Sequence, residues 1–402
     1  MGTVSQLHEH VRPPAHRIQS EEEALQIARS LAARYLQQAS ERDINRVLPY
    51  EEVDALSQSG LLGITTPSDY DGLDISNSVL AEVIAILAEA DPSIAEIAQN
   101  HLHVLEVLRS NGSEAQQSAF FARALAGDRF GSALCEPGIR TAGQYGTRLA
   151  SDGLGHRING RKLCAAGALF ADWLAILALD NSDNLSISLV PRGTEGVQII
   201  DDWDGFGQRT AGGGTTMLHN VHVSADAVIP YPKSMETPTT ISLLGQIIHA
   251  AIDLGIARAA FAETVEFVKN SARPWMNSGV ERAADDPLTI ARIGEIAIRI
   301  EAAAATLDRA GRKIDIAQIN PSEDHVIDAA LAAAAAKTLT AEIAMEASNT
   351  LFELAGTSST RIGLNLDRHW RNARAHTLQE PVRWKHHLVG NYHLNGVTPP
   401  GG

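Results

Sequence analysis

Near the C-terminus, the stretch Asp367-Arg-His-Trp-Arg-Asn-Ala-Arg-Ala-His-Thr-Leu-Gln-Glu-Pro-Val-Arg383 gathers cations, imidazoles, an indole and carboxylates within a few turns of chain. Read as a helix, it places Arg368, Arg371 and Arg374 at successive i+3 steps, a drifting basic stripe. His369, Ala373, His376 and Glu380 fall at i, i+4, i+7 and i+11, so both histidines and the carboxylate share a second face. Pro381 lacks a backbone donor and ends the helix where Gln379 and Glu380 are presented. Cations beside titratable groups at a helix end suit an anionic, planar ligand that gains or loses protons during turnover. A solvated, charged helix end is the competing reading.

Composition narrows the function classes. A chain of 402 residues can bury two or three sizeable cores, and its net charge of -15 offers no footprint for nucleic acid. Cys135 and Cys164 are the only cysteines; they form neither a metal spacing nor a disulfide framework, so no metal is expected. With no signal core at the N-terminus and no apolar run expected to span a bilayer, the reading is a cytoplasmic, non-membrane protein.

The elements that must position these groups come in three blocks. Residues 1–19, with Pro13-Pro14, read as an irregular arm. Residues 20–129 carry helical periodicity punctuated by Gly60 and by Pro67-Ser-Asp-Tyr-Asp-Gly72. In residues 130–231 short apolar runs appear between turn signals: Trp173–Leu179, Leu185–Val190 and the alternating Thr215–Val223. These predict a small β-barrel or sandwich. Residues 232–402 return to long amphipathic helices, Ile241–Asn277, Thr289–Ile314, Glu323–Leu354 and Leu364–Gln379, a four-helix bundle. The fold class is mainly α with a central β domain.

Several short motifs sit at the joints: Ser132-Ala-Leu-Cys-Glu-Pro137, Asn159-Gly-Arg-Lys162, Gly205-Phe-Gly-Gln-Arg209 followed by Asn220-Val-His-Val223, and Arg371-Asn-Ala-Arg374 ahead of Glu380. In this order they resemble the acyl-CoA dehydrogenase superfamily over nearly the whole chain. Gln99-Asn-His101, Gly167-Ala-Leu-Phe-Ala-Asp172 and His369–Lys385 resemble its flavin-dependent monooxygenase branch, which desulfurises dibenzothiophene or oxidises small sulfones. That resemblance implies reduced FMN, delivered by a separate flavin reductase, which reacts with oxygen to form a C4a-(hydro)peroxyflavin and oxygenates sulfur or nitrogen in a small molecule. FAD is the other flavin the superfamily uses.

The resemblance also implies site residues. His101 and His376 are expected at the flavin as titratable groups, and Glu380 lies where the superfamily has its catalytic glutamate. Cys135 and Glu136 belong to the flavin segment, and Lys162 and Arg209, in strand loops, are further candidates for the flavin phosphate. Arg273 occupies the place of a flavin-phosphate arginine, and Gly356 and Thr357 would approach phosphate from a neighbouring subunit of a homotetramer. His103 is read as structural. Two positions depart from the branch pattern: Gln379 stands where it carries a second histidine, and Ala165-Ala166 where it carries serine or threonine beside flavin N5. Both predict weakened oxygenation. The competing functions are an FAD-dependent acyl-CoA dehydrogenase with Glu380 as base, and a binding protein that keeps the fold without the chemistry. No G-x-G-x-x-G opens a βαβ unit, which gives no support to a nicotinamide site.

Overall fold

The computed structural model describes residues 13–136, 138, 144–163, 165–231 and 238–399. Most of the N-terminal arm, Pro137, Cys164 and Pro232 fall outside the described residues.

Five helices come first: α1 (Glu21–Asn45), α2 (Tyr50–Gln58), α3 (Asn77–Ala90), α4 (Pro92–Asn111) and α5 (Glu114–Ala126). Their ends follow from local chemistry. Asp91 caps α4 by accepting from the Ser93 and Ile94 amides, with Pro92 at the first turn, where its missing donor costs nothing. Ser113 and Gln116 form a reciprocal capping box on α5, and Gly127 closes that helix at φ 97°, a conformation glycine adopts without strain.

Eight strands follow: β1 (Phe130–Ala133), β2 (Arg148–Asp152), β3 (Gly155–Lys162), β4 (Trp173–Leu179), β5 (Leu185–Pro191), β6 (Val197–Ile200), β7 (Thr215–Ser224) and β8 (Val228–Pro230). They hydrogen-bond in the order β6-β7-β3-β2-β4-β5-β8, and β1 adds to β4 in parallel. Buried β4 supports this sheet: Leu174, Ala175, Ile176 and Ala178 are completely enclosed.

Further α-helices among the described residues are α6 (Ile241–Asn270), α7 (Pro287–Ile319), α8 (Glu323–Ala355), α9 (Asp367–His376) and α10 (Arg383–Asn395). The first and last bundle helices end earlier than their periodicity predicts. α6 stops at Asn270, ahead of Pro274, and α9 stops at His376, leaving Gln379 and Glu380 on a turn rather than a helix face. By length and composition α6 could cross a membrane (mean hydropathy 1.3), contrary to the expectation of no such run. Its apolarity has another cause, since 72% of that segment is buried inside the protein. Gly255 shows how tightly α6 is held: a Cβ there would come 2.5 Å from the Ala85 carbonyl of α3. Alanines of α8 and the aliphatic faces of α3, α6 and α7 share one core.

Candidate functional site

A cavity of about 600 Å³ opens where the three blocks meet. The first helical block contributes Glu96, Gln99, Asn100 and His103 from α4. The sheet block contributes Ser132, Leu134, Cys135, Ala166 and the β6–β7 connection with Trp203, Gln208 and Gly213. The bundle contributes Gly245 and His249 from α6, Lys337 from α8, and Ala375, Gln379 and Glu380 around the end of α9. The wall at Gly213 is tight: a Cβ there would lie 3.1 Å from the Ala166 backbone.

One side of the cavity rests on a buried charge cluster. Asp253 and His249 stand four residues apart on α6, hence on one face. Asp253 Oδ2 accepts from Lys337 Nζ at 2.6 Å, and Asp253 Oδ1 is 2.6 Å from His376 Nδ1. His376 Nε2 lies 3.0 Å from His249 Nδ1 and 3.4 Å from Glu96 Oε2. Gln379 Nε2 donates to Glu96 Oε1 at 3.0 Å. Asp253, His376 and Lys337 are essentially sealed from solvent, whereas the His249 side chain stays 20% exposed toward the cavity.

The electrostatics assign protons. Burial alone would lower His376, but the charge and hydrogen bond of Asp253, with Glu96 beside it, raise it above the ordinary histidine value. Burial pushes His249 down to about 3 despite Glu96. Burial opposes ionisation of Asp253, yet Lys337 and His376 hold it at about 2; Glu96, likewise buried, is held at about 2 by His376, His249 and Gln379. The shifts favour ionised Asp253 and Glu96, a neutral His249 and retention of the proton on His376. With its proton retained, His376 donates from Nδ1 to Asp253, and its Nε2 faces both His249 Nδ1 and Glu96 Oε2. The remaining proton of His249 is on Nε2, which has no partner in the described chain. The ligating atoms of Glu96, His249 and His376 lie within 4.8 Å of one another, the spacing a metal would need, but the trio is already committed to a hydrogen-bonded set.

The residues singled out from sequence separate into three groups. Cys135, Ala166, Gln379 and Glu380 line the cavity. Glu380 Oε1 is held by Lys385 Nζ at 2.5 Å. His376 lies one imidazole behind the wall. The others are elsewhere. His101 is 2% exposed; its Nε2 pairs with the Leu62 carbonyl at 2.9 Å and its Nδ1 accepts from Phe130 N at 3.0 Å, so backbone occupies both nitrogens. Lys162 and Glu136 pair with each other at 2.6 Å, and Glu136 also accepts from the Gly146 and Thr147 amides. Arg209 bonds the Asp43 and Ile44 carbonyls. Arg273 is exposed after α6, and Gly356 and Thr357 follow α8; none of them lines this cavity. The basic stripe is also committed within the chain: Arg368 to Glu263, Arg371 to Asp43 and Asp367, and Arg374 to the Thr377 hydroxyl.

His103, read as structural, faces the cavity instead of His101. Burial lowers it to about 4, and its Nδ1 has no hydrogen-bond partner. Sequence reasoning also missed His249, Asp253 and Lys337. Their signal was present: His249 and Asp253 are the only titratable residues between Ile241 and Ala257, and Lys337 ends a run of five alanines.

Family models for the N-terminal and C-terminal domains of acyl-CoA dehydrogenase match residues 19–128 and 247–382. A probable FMNH2-dependent monooxygenase, SfnC of Pseudomonas putida, is 31% identical over 94% of this chain and 96% of its own length. The chain belongs to the acyl-CoA dehydrogenase family. Among solved members, methanesulfinate monooxygenase MsuC of Pseudomonas fluorescens superposes with a TM-score of 0.87 at 31% identity, covering 94% of this chain and 98% of that one. TdsC of Paenibacillus sp. A11-2, a dibenzothiophene monooxygenase solved with FMN and indole, gives a TM-score of 0.89 at 26% identity, covering 95% and 99%. These relatives fall on the monooxygenase side of the family, where the motifs at His369–Lys385 and Gly167–Asp172 also point.

Proposed function

We propose that the chain is a two-component monooxygenase that uses FMNH2, supplied by a separate flavin reductase, and molecular oxygen to oxygenate a small organosulfur compound. The observation that carries this reading is the junction cavity, at which the two branch-specific positions, Ala166 and Gln379, converge. The residues present fit a flavin ring. The cavity has the size of small-molecule sites, and the close approach of Gly213 to Ala166 leaves a thin wall without side-chain bulk. His103 Nδ1, buried without a hydrogen-bond partner, suits the polar edge of a ring or a substrate.

When bound, reduced FMN supplies the electrons that activate oxygen. The chain's own residues supply orientation, dryness and protons. Trp203, Leu134 and Ala211 give the cavity an apolar wall that limits water. Ala166 offers no hydroxyl, and Gln379, its amide nitrogen bonded to Glu96, relays no proton. The imidazoles of His103 and His249 are the titratable nitrogens left at the wall.

We read the active form as a homo-oligomer, a tetramer by family resemblance. Arg273, Gly356 and Thr357 lie outside the cavity of one chain, so a role at the flavin phosphate requires a neighbouring subunit. Glu380 would serve the alternative, dehydrogenation of an acyl thioester, but its carboxylate is held by Lys385. One experiment separates the two. The purified protein is mixed anaerobically with reduced FMN and, separately, FAD, then exposed to oxygen with methanesulfinate or dibenzothiophene. Oxygenated product made only with reduced FMN supports the monooxygenase. Copurifying FAD with oxygen-independent oxidation of an acyl-CoA would sink it.

A further inference from the structure

We propose that His249 is the catalytic proton donor at the cavity, with His376 and Asp253 as positioning residues behind it, so that α6 supplies the imidazole that the C-terminal turn lacks at Gln379. This rests on the monooxygenase reading above. Three features of the geometry carry it. His249 is the one member of the cluster with an unpartnered ring nitrogen and a surface on the cavity. Its other nitrogen is 3.0 Å from His376 Nε2, and His376 Nδ1 is anchored on Asp253 at 2.6 Å. Finally, Gln379 bonds the same Glu96 that flanks both imidazoles, at 3.0 Å, which ties the substituted position directly to this relay.

The charged and titratable groups around His249 come from every element packed on it. Glu96 and His103 stand on α4, Asp253 on α6, Lys337 on α8, His376 at the end of α9, and Glu380 across the cavity. Burial keeps His249 neutral despite the Glu96 charge beside it, which fits a group that passes protons without holding a charge.

For an organic sulfide the overall reaction is sulfide + O2 + FMNH2 → sulfoxide + FMN + H2O. One oxygen atom forms the new sulfur–oxygen bond, the other leaves as water, and sulfide and FMNH2 are both oxidised. The leaving oxygen takes a proton from His249 Nε2, while His376 passes its Nε2 proton to His249 Nδ1. Of the two protons that FMNH2 gives up in becoming FMN, one reaches the leaving oxygen and the other restores the histidine pair, so no further reductant or acid is required.

The test uses the full-length protein. Anaerobic calorimetric titration with reduced FMN reads affinity, and nitrogen NMR of histidine-labelled protein from pH 6 to 9 reads the ring state of His249. Wild type should show a neutral ring with its proton on Nε2 throughout, a signal that His249→Gln removes and that the exposed control His386→Gln retains. On mixing with oxygen and dibenzothiophene, His249→Gln should bind reduced FMN within about twofold of wild type. It should lose on the order of 10²-fold in product formed per second, with hydrogen peroxide rising. His249→Gln/Gln379→His should recover much of that loss, a rescue that a purely structural role would not give. Unchanged coupling in His249→Gln would overturn the assignment, as would stoichiometric zinc held by the cluster. A His249 ring that is charged, or protonated on Nδ1 instead of Nε2, across this range overturns it without any variant. Failure of wild type to bind reduced FMN or to oxygenate would instead refute the monooxygenase reading itself.

Discussion

His101, which is sealed, and His249, which is partly exposed, are imidazoles whose basicity burial lowers, and they stand on helices that approach the same cavity. They differ in where their nitrogens point. Backbone closes both nitrogens of His101, on Leu62 and Phe130, and its ring packs 5.5 Å from the Phe130 ring. It joins α4 to the loop after α2 and to β1. His249 has one nitrogen on a charged relay and the other facing open volume. A low pKa is common to both rings, so what separates them is whether a ring nitrogen is left facing a cavity.

Breaking the relay should give the largest effect on stability. Asp253→Asn leaves Lys337 buried without its counter-charge, so we expect a loss of roughly 3–5 kcal/mol in urea denaturation. Adding Lys337→Met should return much of it; a double variant no better than the single would show that the ion pair is not the cause.

At the other histidine the expectation is reversed. His101→Ala should cost about 2–4 kcal/mol, from two lost buried hydrogen bonds and the ring's packing, while the pH profile of flavin turnover stays fixed. A displaced profile would erase the contrast between the two sites. Acid titration sharpens it further. Folded His101 titrates at about 4 against an ordinary 6.5, so the unfolded chain binds the proton first. Stability should fall as pH drops from 6.5 toward 4, by roughly 3 kcal/mol if this group acted alone. Urea midpoints across that range in wild type and His101→Gln would reveal it, and parallel curves would refute it.

Arg273 asks whether the cavity is finished by another subunit. If its guanidinium meets the flavin phosphate there, Arg273→Ala should weaken reduced-FMN binding by about 1.5–3 kcal/mol, with Arg273→Lys between the two. Equal dissociation constants would remove Arg273 from the site. The smallest effect is expected at Ala166. Ala166→Ser restores a hydroxyl at the wall, and the share of consumed oxygen that becomes product should rise a few-fold (about 1 kcal/mol). No change in the product-to-peroxide ratio would mean the hydroxyl is irrelevant here.

The fold class was readable because long segments carry unambiguous periods. β4 spans the run Trp173–Leu179, and α8 begins at Glu323 behind its Ser322 cap. Helix ends were less readable: α9 stops at His376, a turn short of the Pro381 signal. The site was legible only in part. Motif order led to Ala166, Gln379 and Glu380, because those positions lie on turns whose sequence is distinctive. It led to His101 rather than His103 because two histidines two residues apart are distinguished only by what packs on each face. The Asp253–Lys337 pair joins helices 84 residues apart, and one sequence holds no record of which buried charges will meet.

The β6–β7 connection that forms one cavity wall is bolted to α9: Gln208 N donates to Asn372 Oδ1 at 2.7 Å and Arg371 donates to the Phe206 carbonyl at 2.9 Å. A side chain at Gly207 would collide with the Arg371 carbonyl. The wall thus belongs to the sheet by sequence and to the bundle by attachment. Warming that loosens this seam would let water in while both blocks remain folded. The temperature at which oxidising power begins to leak away as peroxide would then be set by a few polar contacts across the seam, well below the point at which either hydrophobic core melts.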